Sequence, residues 1–101
     1  MVETAKDAEL RALFNAQTGQ VAWSELERPF ARGALLRIDA ALDLVAVACR
    51  VAQDDTAAIQ AWMVAGQVGL VNASEAAAWQ AAGQRFWAVV AAPYVLVQVL
   101  G

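Results

Sequence analysis

A chain of 101 residues has room for one hydrophobic core and not for two. Hydrophobic residues make up 60% of it and charged residues only 17%, against a usual ~25%, so apolar surface outruns the charge available to solvate it. The net charge of −3 and the scatter of seven basic residues exclude the basic footprint of a nucleic-acid binder, and the absence of histidine excludes Ser–His and Cys–His nucleophile pairs and imidazole metal ligands.

The first element reads as an amphipathic helix over Ala5 to Gln17. Thr4 is the expected N-cap, with Asp7 three residues on. Leu10, Leu13 and Phe14 fall at i, i+3 and i+4 and stack on one face, while Lys6, Asp7, Glu9 and Arg11 mostly lie elsewhere. Gly19 reads as the stop. Ser24-Glu25-Leu26-Glu27 has the form of a capping box and opens a short second helix. Pro29 removes an amide within it, which predicts a kink or break, and Gly33 fits the position beyond its end.

Ala34-Leu35-Leu36-Arg37-Ile38 reads as a strand. From Leu42 to Gln53 the pattern serves both periods. Leu44, Val47, Ala48 and Val51 make a helical stripe with Asp43 as cap; Val45, Val47, Cys49 and Val51 alternate as in a strand. The valines favour strand and the alanines favour helix; helix is the expectation taken. Asp54-Asp55-Thr56 punctuates the chain and caps a helix from Asp55 to Ala65, with Ile59, Trp62 and Met63 inward and Gly66 closing it. Gln67 to Val71 is a connection with some extended character. Asn72 and Glu75 cap a further helix that turns Ala76 and Trp79 inward and stops at Gly83. Phe86 to Leu100 is dense in valine and aromatics and reads as strand, divided at Pro93 into a hairpin, a bulge or an edge strand. The fold expected is α+β: one domain over residues 1–101, with four to five helices packed on a small sheet formed near residues 34–38 and 86–99.

The chemistry available is thin. Ser24 and Ser74 are explained as helix-start residues, and no glycine pattern cradles a phosphate. Cys49, the lone cysteine, reads as a small buried hydrophobe and permits no intrachain disulfide. Trp23, Trp62, Trp79 and Trp87 are expected in the core, with a groove or dimer contact as the lesser reading. Arg28, Arg32 and Arg37 form the nearest approach to a cationic cluster. Arg32, in the last turn of its helix, has capping as its plain role and anion binding as the alternative. Asp39, Asp43, Asp54 and Asp55 are explained by caps and turns, so no metal site and no cofactor are expected. The apolar C-terminal run reaches at most 16 residues, short of the ~20 a membrane span needs. The N-terminus carries no export signal, which with one free cysteine places the chain in the cytoplasm.

Several segments carry a family resemblance: Trp23-Ser24-Glu25-Leu26, Phe30-Ala31-Arg32-Gly33, Leu42-Asp43-Leu44-Val45, Asp54-Asp55, Ala61-Trp62, and Phe86-Trp87-Ala88-Val89-Val90-Ala91-Ala92-Pro93-Tyr94-Val95-Leu96-Val97-Gln98. Together they resemble a bacterial family known only as domain of unknown function 2288, over about residues 10 to 98. The family pattern has Trp where this chain has Tyr94, and a non-proline residue where it has Pro29. The resemblance implies a bacterial source and brings no activity with it.

The function expected is that of a non-catalytic binding or regulatory module acting as a homodimer or by docking on another protein, without nucleic acid or membrane. The alternative is a small-ligand-binding protein or enzyme built on carboxylates and arginine: Asp43, Asp54 and Asp55 with Arg32. Trp23 and Tyr94 complete the set of residues placed at a ligand site or interface.

Overall fold

Among the described residues five strands form one mixed sheet in the order β1–β4–β5–β2–β3, where β1 is Gly19–Ala22, β2 Leu35–Ile38, β3 Val68–Leu70, β4 Arg85–Ala91 and β5 Tyr94–Val99. A computed structural model describes residues 5–100. The α+β class is as the sequence implies, with five α-helices: α1 Ala5–Gln17, α2 Glu27–Ala31, α3 Leu44–Ala52, α4 Thr56–Val64 and α5 Ala73–Ala82.

The C-terminal run builds the centre of the sheet. Valine and aromatic side chains suit a pleated, two-sided surface, and Ala92-Pro93 turns the run back on itself through a cis peptide bond, pairing Ala91 with Tyr94 and Phe86 with Val99. On its other side β5 runs parallel to β2, Leu35 opposite Val95 and Arg37 opposite Val97. The two pairings expected of this segment, with its own continuation and with Leu35–Ile38, therefore both occur. Alternation then divides the core in two. Leu36, Ile38, Val89, Ala91 and Leu96 face α1 and α3; Leu35, Phe86, Ala88 and Val97 face the turn at Trp23–Glu25, α2 and α5. Helices on both faces explain why the strands read as nearly continuous apolar runs.

Local signals set most helix ends. Asp43 Oδ1 accepts from the amides of Val45 and Ala46 at 3.0 and 3.2 Å, and α3 is a helix. Asp55 Oδ1 accepts from Ala58. Asn72 and Glu75 form the reciprocal capping box, and Gly83, at φ +63°, ends α5 in the left-handed region that only glycine enters freely. The expected Thr4 cap lies outside the described residues.

Four expectations change. Gly19 does not merely stop α1; it opens β1, which pairs Gly19–Ala22 with Ala88–Arg85. Ser24 does not head a capping box, because residues 23–25 wind as a 3-10 turn in which Glu25 Oε2 accepts from the Ala22 amide at 2.9 Å. Pro29 does not break α2: it occupies the first turn, where its missing amide would have had no intrahelical acceptor. Val68–Leu70 is a full edge strand rather than a connection.

Candidate functional site

The tip of the β4–β5 hairpin stands between two open grooves. The larger, about 650 Å³, lies where α4 arches from the end of α3 over the sheet, and its floor is Leu36, Ile59, Met63, Leu70 and Pro93. Its polar rim is Asp54, Thr56, Gln60 and Tyr94. The volume suits a small ligand. Asp54 holds φ +57°, a conformation that aspartate tolerates better than most residues and that here reverses the chain between α3 and α4. The second groove, about 470 Å³, lies on the opposite face between α2 and β4, with Val21, Val90, Val95 and Pro29 beneath Arg28 and Arg32.

These grooves separate the residues that sequence reasoning grouped. Asp54 and Tyr94 share the larger groove, and Arg32 lines the other. Asp43 caps the start of α3, whereas Asp54 and Asp55 follow its end, about 15 Å away at 1.5 Å per residue. Asp55 also faces Arg50, Oδ2 to Nη1 at 3.4 Å, and Asp43 faces Arg11 at 3.9 Å. Arg32 and the three aspartates therefore do not converge, and no cluster of three or more metal-ligating His, Cys, Asp or Glu occurs among the described residues. Trp23 is core: it is 7% exposed and packs at a tilt against Phe30, Trp79 and Phe86 with centroids 5.5 to 6.4 Å away. Trp87 departs from the expected core set and is 39% exposed.

The three arginines of the supposed cluster also part. Arg37 Nε lies 2.8 Å from Glu75 Oε2, and the guanidinium covers Gly69, whose absent Cβ would stand 3.0 Å from Nη2. Arg28 of α2 and Arg32, which caps the helix end, lie about one turn apart, remain together and make no ion pair among the described residues.

Sequence reasoning missed the distribution of charge over the surface. Of the charged residues only Glu75 and Arg85 lie beyond Asp55, and Glu75 is taken up by Arg37. α4 has no charged residue and no buried one. Its expected inner stripe holds only in part: Ile59 and Trp62 are half-buried, and Met63 is 45% exposed. Val64 is 84% and Leu70 53% exposed. On the other face of the sheet, beyond the β3 edge, α5 exposes Ala78 and Ala81, while Ala77 lies at a groove shared with Glu27 and Phe30. The side formed by α4, β3 and α5 is thus apolar and nearly free of net charge. The signal lay in the charge-poor stretch after Asp55, which periodicity alone does not place on a single side.

No helix among the described residues is long and apolar enough to cross a membrane. The family model described as protein of unknown function (DUF2288) matches residues 9–99. The NMR solution structure of PA1075 from Pseudomonas aeruginosa superposes with a TM-score of 0.82 at 39% sequence identity, over 100% of this chain and 94% of that one. A comparison with curated proteins gave no match.

Proposed function

The chain belongs to the family of proteins of unknown function DUF2288, which supplies no activity, and from its surface we propose that it is a non-catalytic interaction module of the bacterial cytoplasm that works as a homodimer. The observation that carries this reading is α4: a helix without charge and without one buried residue. An apolar helix of this kind normally finds cover. The occupant is a second copy of the chain, and charge is the reason. Two copies of a protein at −3 repel, and an isologous contact sets each patch against itself. The α4–β3–α5 side is one that can meet itself without opposing like charges.

A spin label tests this directly. Cys49 is buried, so Val64→Cys gives a selectively reactive thiol on α4. Mixed with isotope-labelled native protein, the labelled variant should broaden amide signals of α4, Leu70 and the outer face of α5 in the other copy. Intermolecular broadening confined to α1 or α2, or none, would contradict the reading.

The larger groove supports a second reading, a small ligand held on Leu36, Ile59 and Met63 with Asp54 and Tyr94 at its rim. A co-purified small molecule, released by denaturation and identified by mass spectrometry, would favour it.

A further inference from the structure

We infer that the larger groove takes a cationic ligand, a primary amine on an apolar body. The inference rests on the second reading above, that this groove holds a small ligand, and gives that ligand its charge. Asp54 is the one charged side chain among the residues that line the groove, and it makes no ion pair among the described residues. The other polar side chains at the rim, Thr56, Gln60 and Tyr94, each carry an oxygen that can accept a hydrogen bond. A primary ammonium donates three hydrogen bonds and accepts none, which matches a carboxylate set among neutral acceptors. Leu36, Ile59, Met63 and Leu70 give the floor for its apolar body.

Helix ends set the sign of the local field. α3 ends at the groove, where Val51 and Ala52 line it, and a helix C-terminus carries partial negative charge. The cation in its last turn, Arg50, is held by Asp7 and Asp55 and does not line the groove. α4 begins at the same place with Thr56, and its N-terminus would favour an anion. The Asp55 carboxylate already meets that end, accepting from the Ala58 amide at 3.1 Å. An anionic ligand would thus face Asp54 with no cation to receive it, and a neutral one would leave the carboxylate unused.

The experiment titrates the isotope-labelled full chain with phenethylamine, phenethyl alcohol and hydrocinnamate, one apolar body with three headgroups. Met63 and Leu70 also belong to the side assigned to the dimer, so Val64→Lys, altered outside the groove, is titrated beside the native chain. Saturable shifts at Ile59, Met63 and Tyr94 are expected. The amine should bind about two- to fivefold more tightly than the alcohol, the worth of an exposed ion pair, and hydrocinnamate most weakly. Added sodium chloride should narrow the gap between amine and alcohol. Asp54→Asn should close it and leave the affinity for the alcohol unchanged. Asparagine tolerates the positive φ of this position as aspartate does, so the fold should hold. Binding of the alcohol as tight as that of the amine, tightest binding of hydrocinnamate, or a preference for the amine that survives in Asp54→Asn would overturn the inference and leave the ligand groove standing. No saturable binding of any of the three to either protein would remove the groove reading and the inference with it.

Discussion

Arg50 on α3 holds both carboxylate oxygens of Asp7 on α1, Nη2 to Oδ1 at 2.8 Å and to Oδ2 at 2.9 Å, across 43 positions of sequence. Gln53 donates its side-chain amide to the same carboxylate, and Asp55 takes the other arm of Arg50 at 3.4 Å. This network ties α1, the element first in the chain, to the helix at the centre of its layer. Asp7 stands one turn before Leu10 on α1, and its carboxylate meets a cation that no local pattern could supply.

The network makes stability depend on acid. The Gln53 amide, and after it Arg50, hold the Asp7 carboxyl below its ordinary value of 3.8. A carboxyl whose folded value is lowered contributes stability above its unfolded value and loses it as pH falls through the folded one. Asp7→Asn should therefore lower Tm at neutral pH, and its curve should converge on that of the native protein in the acid range below 3.8. Parallel curves at every pH would show that the pair does no such linking.

Gly69 illustrates a constraint seen only in three dimensions. A methyl group there would stand 3.0 Å from Arg37 Nη2, and Glu75 keeps that guanidinium in place. Gly69→Ala should cost about 1 kcal/mol, as overpacking does. In the Glu75→Gln background Arg37 can withdraw, and the cost should shrink. Equal costs in the two backgrounds, measured by urea denaturation, would dissociate the glycine from the ion pair.

Removal of residues 94–101 should leave insoluble or unfolded protein. β5 lies between β4 and β2, and its Leu96 and Val97 are 0% and 1% exposed. Each large side chain so buried is worth roughly 1.5–3 kcal/mol, against a margin of about 5–15 kcal/mol for a whole domain. A soluble truncated chain with a cooperative thermal transition near that of the full length would contradict the central place of β5.

What was legible in the sequence was local. Asp43, Asn72 with Glu75, Gly33 and Gly83 act on amides within a few residues of themselves, so each cap or stop could be read directly. β1 could not, since Gly19–Ala22 is four residues long and becomes a strand by pairing with β4, some 65 positions away. The misread of Ser24 has the same root: pairing of Ala22 with Arg85 fixes where the chain leaves the sheet, and Glu25 is then the side chain in reach of the free amide. Of the candidate residues, Asp54, Tyr94 and Arg32 do line grooves, while Trp23 is taken by the aromatic cluster. A hydrophobicity pattern does not say which face of α4 the fold will leave uncovered.

The central claim is that the uncharged side made of α4, β3 and α5 joins two copies of the chain. Sedimentation equilibrium across the micromolar range tests it most directly, on the native protein and on Val64→Lys with Leu70→Lys. Both side chains are exposed, so the substitutions should leave the fold intact and set like charges against each other only across the interface. The account predicts a mass of twice 10.7 kDa for the native chain and 10.7 kDa for the variant. A native chain that stays at 10.7 kDa throughout, or a variant that still dimerises, would contradict it.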